Sequence, residues 1–240
     1  MQLFNTKQIK RYQHELSNWK VDAYQSFVSK ISNKAEKFPC IPATQGLGLD
    51  QFRYGFVSKP GSFQASQDVA WLLKEYSESY KAIGRYTSLI IFFENTNTSP
   101  KSIKGYEELF WNTLEQVSNL DDIEWPREIP KDANHPLWEF CFHGERYFVY
   151  VATPMHRDRK SRKFSYFMFA ITPRKVFDQF QEKTEAGPIK TKIRERLSDY
   201  DLVPPHPELK PYGKQDNFEA KQYFLRDDQS TFSKCPFHRD

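Results

Sequence analysis

His156 is followed by Arg157, Arg159, Lys160, Arg162 and Lys163, and the segment just upstream carries Glu139, Cys141, His143 and Glu145. An imidazole beside a cationic run can bind a metal, relay a proton or meet an anionic cofactor. Three chemistries fit those residue types. A tetrahedral zinc site would draw on His143 and His156 with Cys141 or Cys235, although no pair is spaced to place both ligands on one turn of structure. A Cys–His nucleophilic pair would use Cys40 or Cys235 near the cluster at 156–163, without any local nucleophile motif to support it. Haem would need a single axial His or Cys, cations for its propionates and an aromatic interior. His156 with Arg157, Arg159 and Arg162 meets that demand. Basic runs are usually solvated faces, and a lone cysteine is more often a small hydrophobe than a nucleophile, so the residues alone leave these alternatives open.

The elements that must position this chemistry follow from apolar periodicity. Residues 137–142 and 146–152 read as two strands of a hairpin turning at His143-Gly144, the second strand ending at Thr153-Pro154. Residues 51–57, 88–94 and 164–172 read as further strands, with 88–94 apolar throughout and therefore central. Helical spacing predicts helices over 5–36 (capped by Asn5 or Thr6), 62–84, 104–120, 174–183 and 188–200. Pro39 and Pro42 favour an extended segment at 38–42, and 45–49 reads as a flexible loop. Residues 121–134 hold Pro126 and Pro130 and read as a loop. The last stretch, 204–240, is proline-rich and weakly periodic yet keeps aromatic residues, as a tail wrapped on the body would. These elements predict one α+β domain over 1–240, comprising a body at 1–203 and the tail. Its sheet is mixed and largely antiparallel, of about five strands, with helices packed on it.

Composition narrows the class. A chain that is 38% hydrophobic and 16% aromatic can fill a core. The net charge of +4 is dispersed except at 157–163, and no nucleic-acid signature accompanies it. Three cysteines cannot all pair within one chain, and no apolar run is long enough for a signal peptide or a membrane span. The expectation is a soluble protein of a reducing cytoplasm with free thiols, binding neither nucleic acid nor membrane.

Several short elements resemble one family in their order and spacing. They are FPC at 38–40, HPLWEFCFHGE at 135–145, Thr-Pro-x-His and SRKF within 153–164, PPHP at 204–207, KQYFL at 221–225 and CPF at 235–237. Together they resemble the YqcI/YcgG family, most closely its YqcI-like branch from Bacillus-type bacteria, over essentially the whole chain. Some members are haem-dependent N-oxygenases that hydroxylate the side-chain amine or guanidine of arginine, lysine or related molecules. The resemblance to that more distant branch rests on Cys40, His156, Arg162 near Phe164, and Cys235, while the chain departs from it between 165 and 225.

It implies haem b held by His156, with Cys40 as the rival ligand, Arg157 and Arg162 on the propionates, and Cys235 beside the cofactor. A cationic substrate also needs a buried carboxylate, for which Glu139 and Glu145 are the candidates, and His143 is a candidate hydrogen-bond donor to bound oxygen. The resemblance names neither the electron donor nor the oxidant, and a homodimer is compatible with it. The alternatives are a haem-binding or haem-sensing protein without turnover, and a non-haem accessory protein.

Overall fold

Two aromatic cores form on opposite faces of one sheet because apolar residues fill both sides of its central strands. Leu89, Ile91 and Phe93 join the first core, whereas Ile90 and Phe92 join the second. Phe169 and Ile171 divide from Met168 in the same way, as the period of a pleated strand requires. The computed structural model describes residues 1–181 and 186–239. Its strands are β1 (Phe52–Val57), β2 (Ser88–Phe93), β3 (Phe140–Phe142), β4 (Glu145–Ala152) and β5 (Met168–Pro173). They lie in the order β1-β2-β5-β4-β3, with β1 and β2 parallel and all other pairs antiparallel. The fold is therefore α+β with a mixed, largely antiparallel, open sheet, as the periodicity predicts.

The helices are α1 (Thr6–Tyr12), α2 (Asn18–Ser32), α3 (Ile41–Gly48), α4 (Phe63–Ser79) and α5 (Ile103–Asn119), followed by α6 (Arg174–Gln181), α7 (Ala186–Tyr200) and α8 (Ala220–Tyr223). α4 and α5 cover the first face through Leu72, Leu73, Tyr76, Phe110 and Leu114, and α2 covers the second through Tyr24, Phe27 and Ile31. Side-chain caps mark the starts. Asn5 and Gln8 form a reciprocal capping box, Ser62 accepts from the Ala65 amide, and Ser102 accepts from the Gly105 amide. Among the described residues no helix is long and apolar enough to cross a membrane.

Several boundaries differ from the sequence reading. The helix expected over 5–36 is broken between α1 and α2, where the chain restarts at Ser17. Residues 41–48 are helix rather than an extended segment and loop, because Pro42 lies in the first turn, where its missing N–H costs nothing. Gly46 within that helix is required by close approach, since a Cβ there would lie 2.5 Å from the Tyr86 carbonyl oxygen. The first hairpin strand shrinks to β3 because residues 135–138 turn, the Trp138 amide donating to the His135 carbonyl. Similarly, β5 begins only at Met168. The helix expected over 174–183 is seen to Gln181, and its last two positions lie outside the described residues.

Candidate functional site

The stretch that concentrates the candidate residues in sequence is pulled apart by its own hairpin. His143 and Gly144 form a two-residue turn with both φ positive, +52° and +71°, as a tight hairpin requires. His143 and Glu145 thus sit at the start of β4, and His156 lies just past its end. At roughly 3.3 Å per residue, the eight residues of β4 separate the two groups by about 25 Å. A zinc site built on His143 and His156 therefore does not assemble. Among the described residues no three His, Cys, Asp or Glu side chains converge as a metal site needs.

At the far end of β4, residues 153–162 clasp the tail. His156 is completely buried, with Nδ1 2.9 Å from the Thr153 hydroxyl and Nε2 2.8 Å from the Leu225 carbonyl oxygen. A carbonyl can only accept, so Nε2 carries the proton and Nδ1 accepts from Thr153. Burial lowers the His156 pKa to about 4, so the ring is neutral. Arg162 donates to the carbonyls of Val151, Gln222 and Tyr223 and lies 4.1 Å from the centroid of the Tyr150 ring. Arg159 donates to the carbonyls of Pro204, Arg226 and Asp228. The backbone amides of Arg157 and Arg159 donate to the Asp227 carboxylate, while Arg157 itself is exposed. Two cations of the run, Arg159 and Arg162, therefore clasp the chain from 204 onwards, whereas Lys160 pairs with Glu36 and Lys163 is exposed.

This geometry does not fit haem as the resemblance implied it. Both nitrogens of His156 are committed to protein partners, and the Arg162 guanidinium is spent on carbonyls. Cys40 caps α3 and packs against the second core, where burial pushes its thiol up rather than towards the thiolate a metal needs. Cys235 is buried in the first core, its amide bonded to the Asn134 side chain and its thiol pushed up to about 12 by burial.

Glu139 is fully buried, as a carboxylate awaiting a cationic substrate would be, but the protein supplies the cations. Arg174 and Arg146 both pair with it, and the Tyr212 hydroxyl donates to it at 2.9 Å. Arg174 also pairs with the buried Glu219, and its guanidinium lies 4.3 Å from the centroid of the Tyr212 ring. Burial pushes Glu219 up, against the pull of Arg174.

Glu145 occupies a different setting, near the edge of the sheet, accepting from Tyr80 Oη at 2.9 Å and from Lys81 Nζ at 2.5 Å. Beside it opens a cleft of ≈ 550 Å³, lined by Tyr80, Lys81, Gly84 and Arg85 on one side and Lys175, Val176 and Gln179 on the other. His143 stands half-buried at the same end, its amide donating to Asp121 and its Nε2 3.7 Å from the Glu78 carboxylate. Sequence reading missed the Glu139–Arg174–Glu219 group and the cleft. Arg174 follows the proline that ends β5, and Glu219 falls in the tail read as irregular, so neither stands at a motif spacing.

The chain belongs to the YqcI/YcgG family, whose profile matches residues 24–238. Relatives include two Bacillus subtilis (strain 168) proteins. YcgG is 43% identical over 95% of this chain and 92% of its own length, and YqcI is 41% identical over 98% and 94%. A more distant relative is the Streptomyces lavendulae protein named "Putative N(omega)-hydroxy-L-arginine synthase DcsA". It is 28% identical over 93% of this chain and 85% of its own length. No solved structure matches the chain.

Proposed function

We propose that this chain is a nitrogen-hydroxylating enzyme acting on a small amine or guanidine such as arginine or lysine. The observation that carries the reading is the likeness to the Streptomyces protein, 28% identical over 93% of this chain and named for the synthesis of N(omega)-hydroxy-L-arginine. The reaction inserts an oxygen atom into an N–H bond. It draws on dioxygen with an external electron donor, or on peroxide without one. Haem is the group the resemblance implied for this chemistry. Both nitrogens of His156 are bonded within the protein and burial holds Cys40 as a thiol, so the reaction class is proposed here with no step assigned to haem.

The test starts from protein produced in cells supplied with a haem precursor. Its visible spectrum is recorded, and it is then incubated with arginine, lysine and small guanidines under each oxidant regime. N-hydroxylated product detected by mass spectrometry is the expected result. Absence of product with every amine, with haem and with iron, overturns the reading. A second reading, a family member that holds no haem, is favoured by the commitment of His156 and Arg162 to the tail. It predicts no Soret band even after hemin is added, and His156→Ala then alters stability without altering any spectrum.

A further inference from the structure

We infer that the cleft beside Glu145 binds a small molecule through a phosphate or carboxylate oxyanion, with Arg85 and Lys175 as the binding cations. Such binding is independent of nitrogen hydroxylation. The topology makes the site. β2 and β5 are antiparallel neighbours, so the chain entering β2 and the chain leaving β5 meet at one end of the sheet's strands. There the Ser88 and Thr172 hydroxyls lie 2.7 Å apart. Arg85 stands just before that meeting point and Lys175 just after it, and both line the ≈ 550 Å³ cleft.

The carboxylates nearby are engaged elsewhere. Glu145 is held by Lys81 at 2.5 Å and by Tyr80, Asp178 lies 3.8 Å from Arg146, and Glu78 faces His143. Arg174, the first residue of α6, turns away to the buried Glu139 and Glu219. Arg85 and Lys175 therefore face the cleft as exposed cations, and among the described residues neither has an acidic partner. Two further features add to them. Lys175 and Val176 come from the first turn of α6, whose aligned peptide dipoles place partial positive charge at that end. The buried Tyr80 and Val176 give the cleft an apolar wall. Cations converging from separate elements over an apolar wall suit an oxyanion attached to an organic body.

Calorimetric titration of the full-length protein with inorganic pyrophosphate and, separately, with succinate tests this. At least one probe is expected to bind, more weakly as salt rises, and the probe that binds identifies phosphate or carboxylate as the source. Arg85→Gln with Lys175→Gln is expected to weaken that binding by about tenfold or more. Because both side chains are exposed, the unfolding midpoint without ligand should be unchanged. Lys20→Gln, at a separate cavity of ≈ 390 Å³ that Lys20 lines, should leave the affinity as it was. Binding of neither probe, affinity that survives the double substitution, or equal loss in Lys20→Gln overturns the inference.

Discussion

The commitment of His156 to the tail makes stability depend on pH in a calculable way. A free imidazole takes its proton near pH 6.5, whereas the buried ring resists until about pH 4. Between those values the unfolded chain holds the extra proton, so stability is full above pH 6.5 and falls as the pH drops through the window. A gap from 6.5 to about 4 corresponds to about 3 kcal/mol, at about 1.4 kcal/mol per pH unit. The cause is local. Burial is the main cause: a protonated ring would carry its charge in the interior against Phe224, with Arg162 and Arg159 opposing it and the Leu225 carbonyl and then Asp227 relieving it, and Nδ1 would lose its acceptor role towards Thr153. The perturbation is His156→Gln, because an amide keeps a donor and an acceptor but does not titrate. Urea unfolding is followed by tryptophan fluorescence from pH 7 to pH 4 in both proteins. Only the difference between them is read, because His206, with a lowered pKa, and Glu219, whose raised pKa makes its contribution fall as pH rises, titrate in both. The stability advantage of the wild type should shrink by about 3 kcal/mol across the window. Parallel profiles would refute the buried, neutral, doubly bonded imidazole, and with it the argument against His156 as a ready ligand.

Further predictions concern the packing around it. Glu139→Gln leaves Arg174 with only one of its two carboxylates and should cost about 3–5 kcal/mol by urea midpoint, with a loss below about 1 counting against the pairing. Arg162→Met deprives three carbonyls of their donor and should cost at least about 3 kcal/mol, with limited proteolysis moving into the tail. Gly55→Ala would set a Cβ 2.4 Å from Leu72 Cδ1. It should cost about 1–3 kcal/mol, a penalty that disappears in a Leu72→Ala background. Buried Cys141 and Cys235, both with thiols raised by burial, should resist iodoacetamide in native protein and react once urea unfolds it, as peptide mass spectrometry would report.

Much of the scaffold was legible because it depends on local rules. A continuous apolar run marked β2, β-branched and aromatic residues marked β4, helical spacing marked α4 and α5, and His143-Gly144 marked the hairpin. Pro42 misled because proline reads alike before an extended segment and in the first turn of a helix, and only the packing of α3 under Tyr86 distinguishes them. The candidate site was less legible. A buried carboxylate at Glu139 was foreseeable from its position beside a strand, but its partner Arg174 and the Glu219 that shares that guanidinium come from 35 and 80 residues further along the chain.

The sequence by itself determined the family, the α+β class and the residue types available for chemistry, because order, spacing and periodicity are properties of the chain. Only the tertiary structure decided which of those residues meet. An extended strand carries His143 and His156 to opposite ends of the sheet despite their nearness in sequence. The returning tail spends His156, Arg159 and Arg162 on its own carbonyls, and the antiparallel pairing of β2 with β5 brings Arg85 to Lys175. Sequence distance does not measure spatial distance once strands extend and pair, so the chemistry of this protein was decided by the folded sheet.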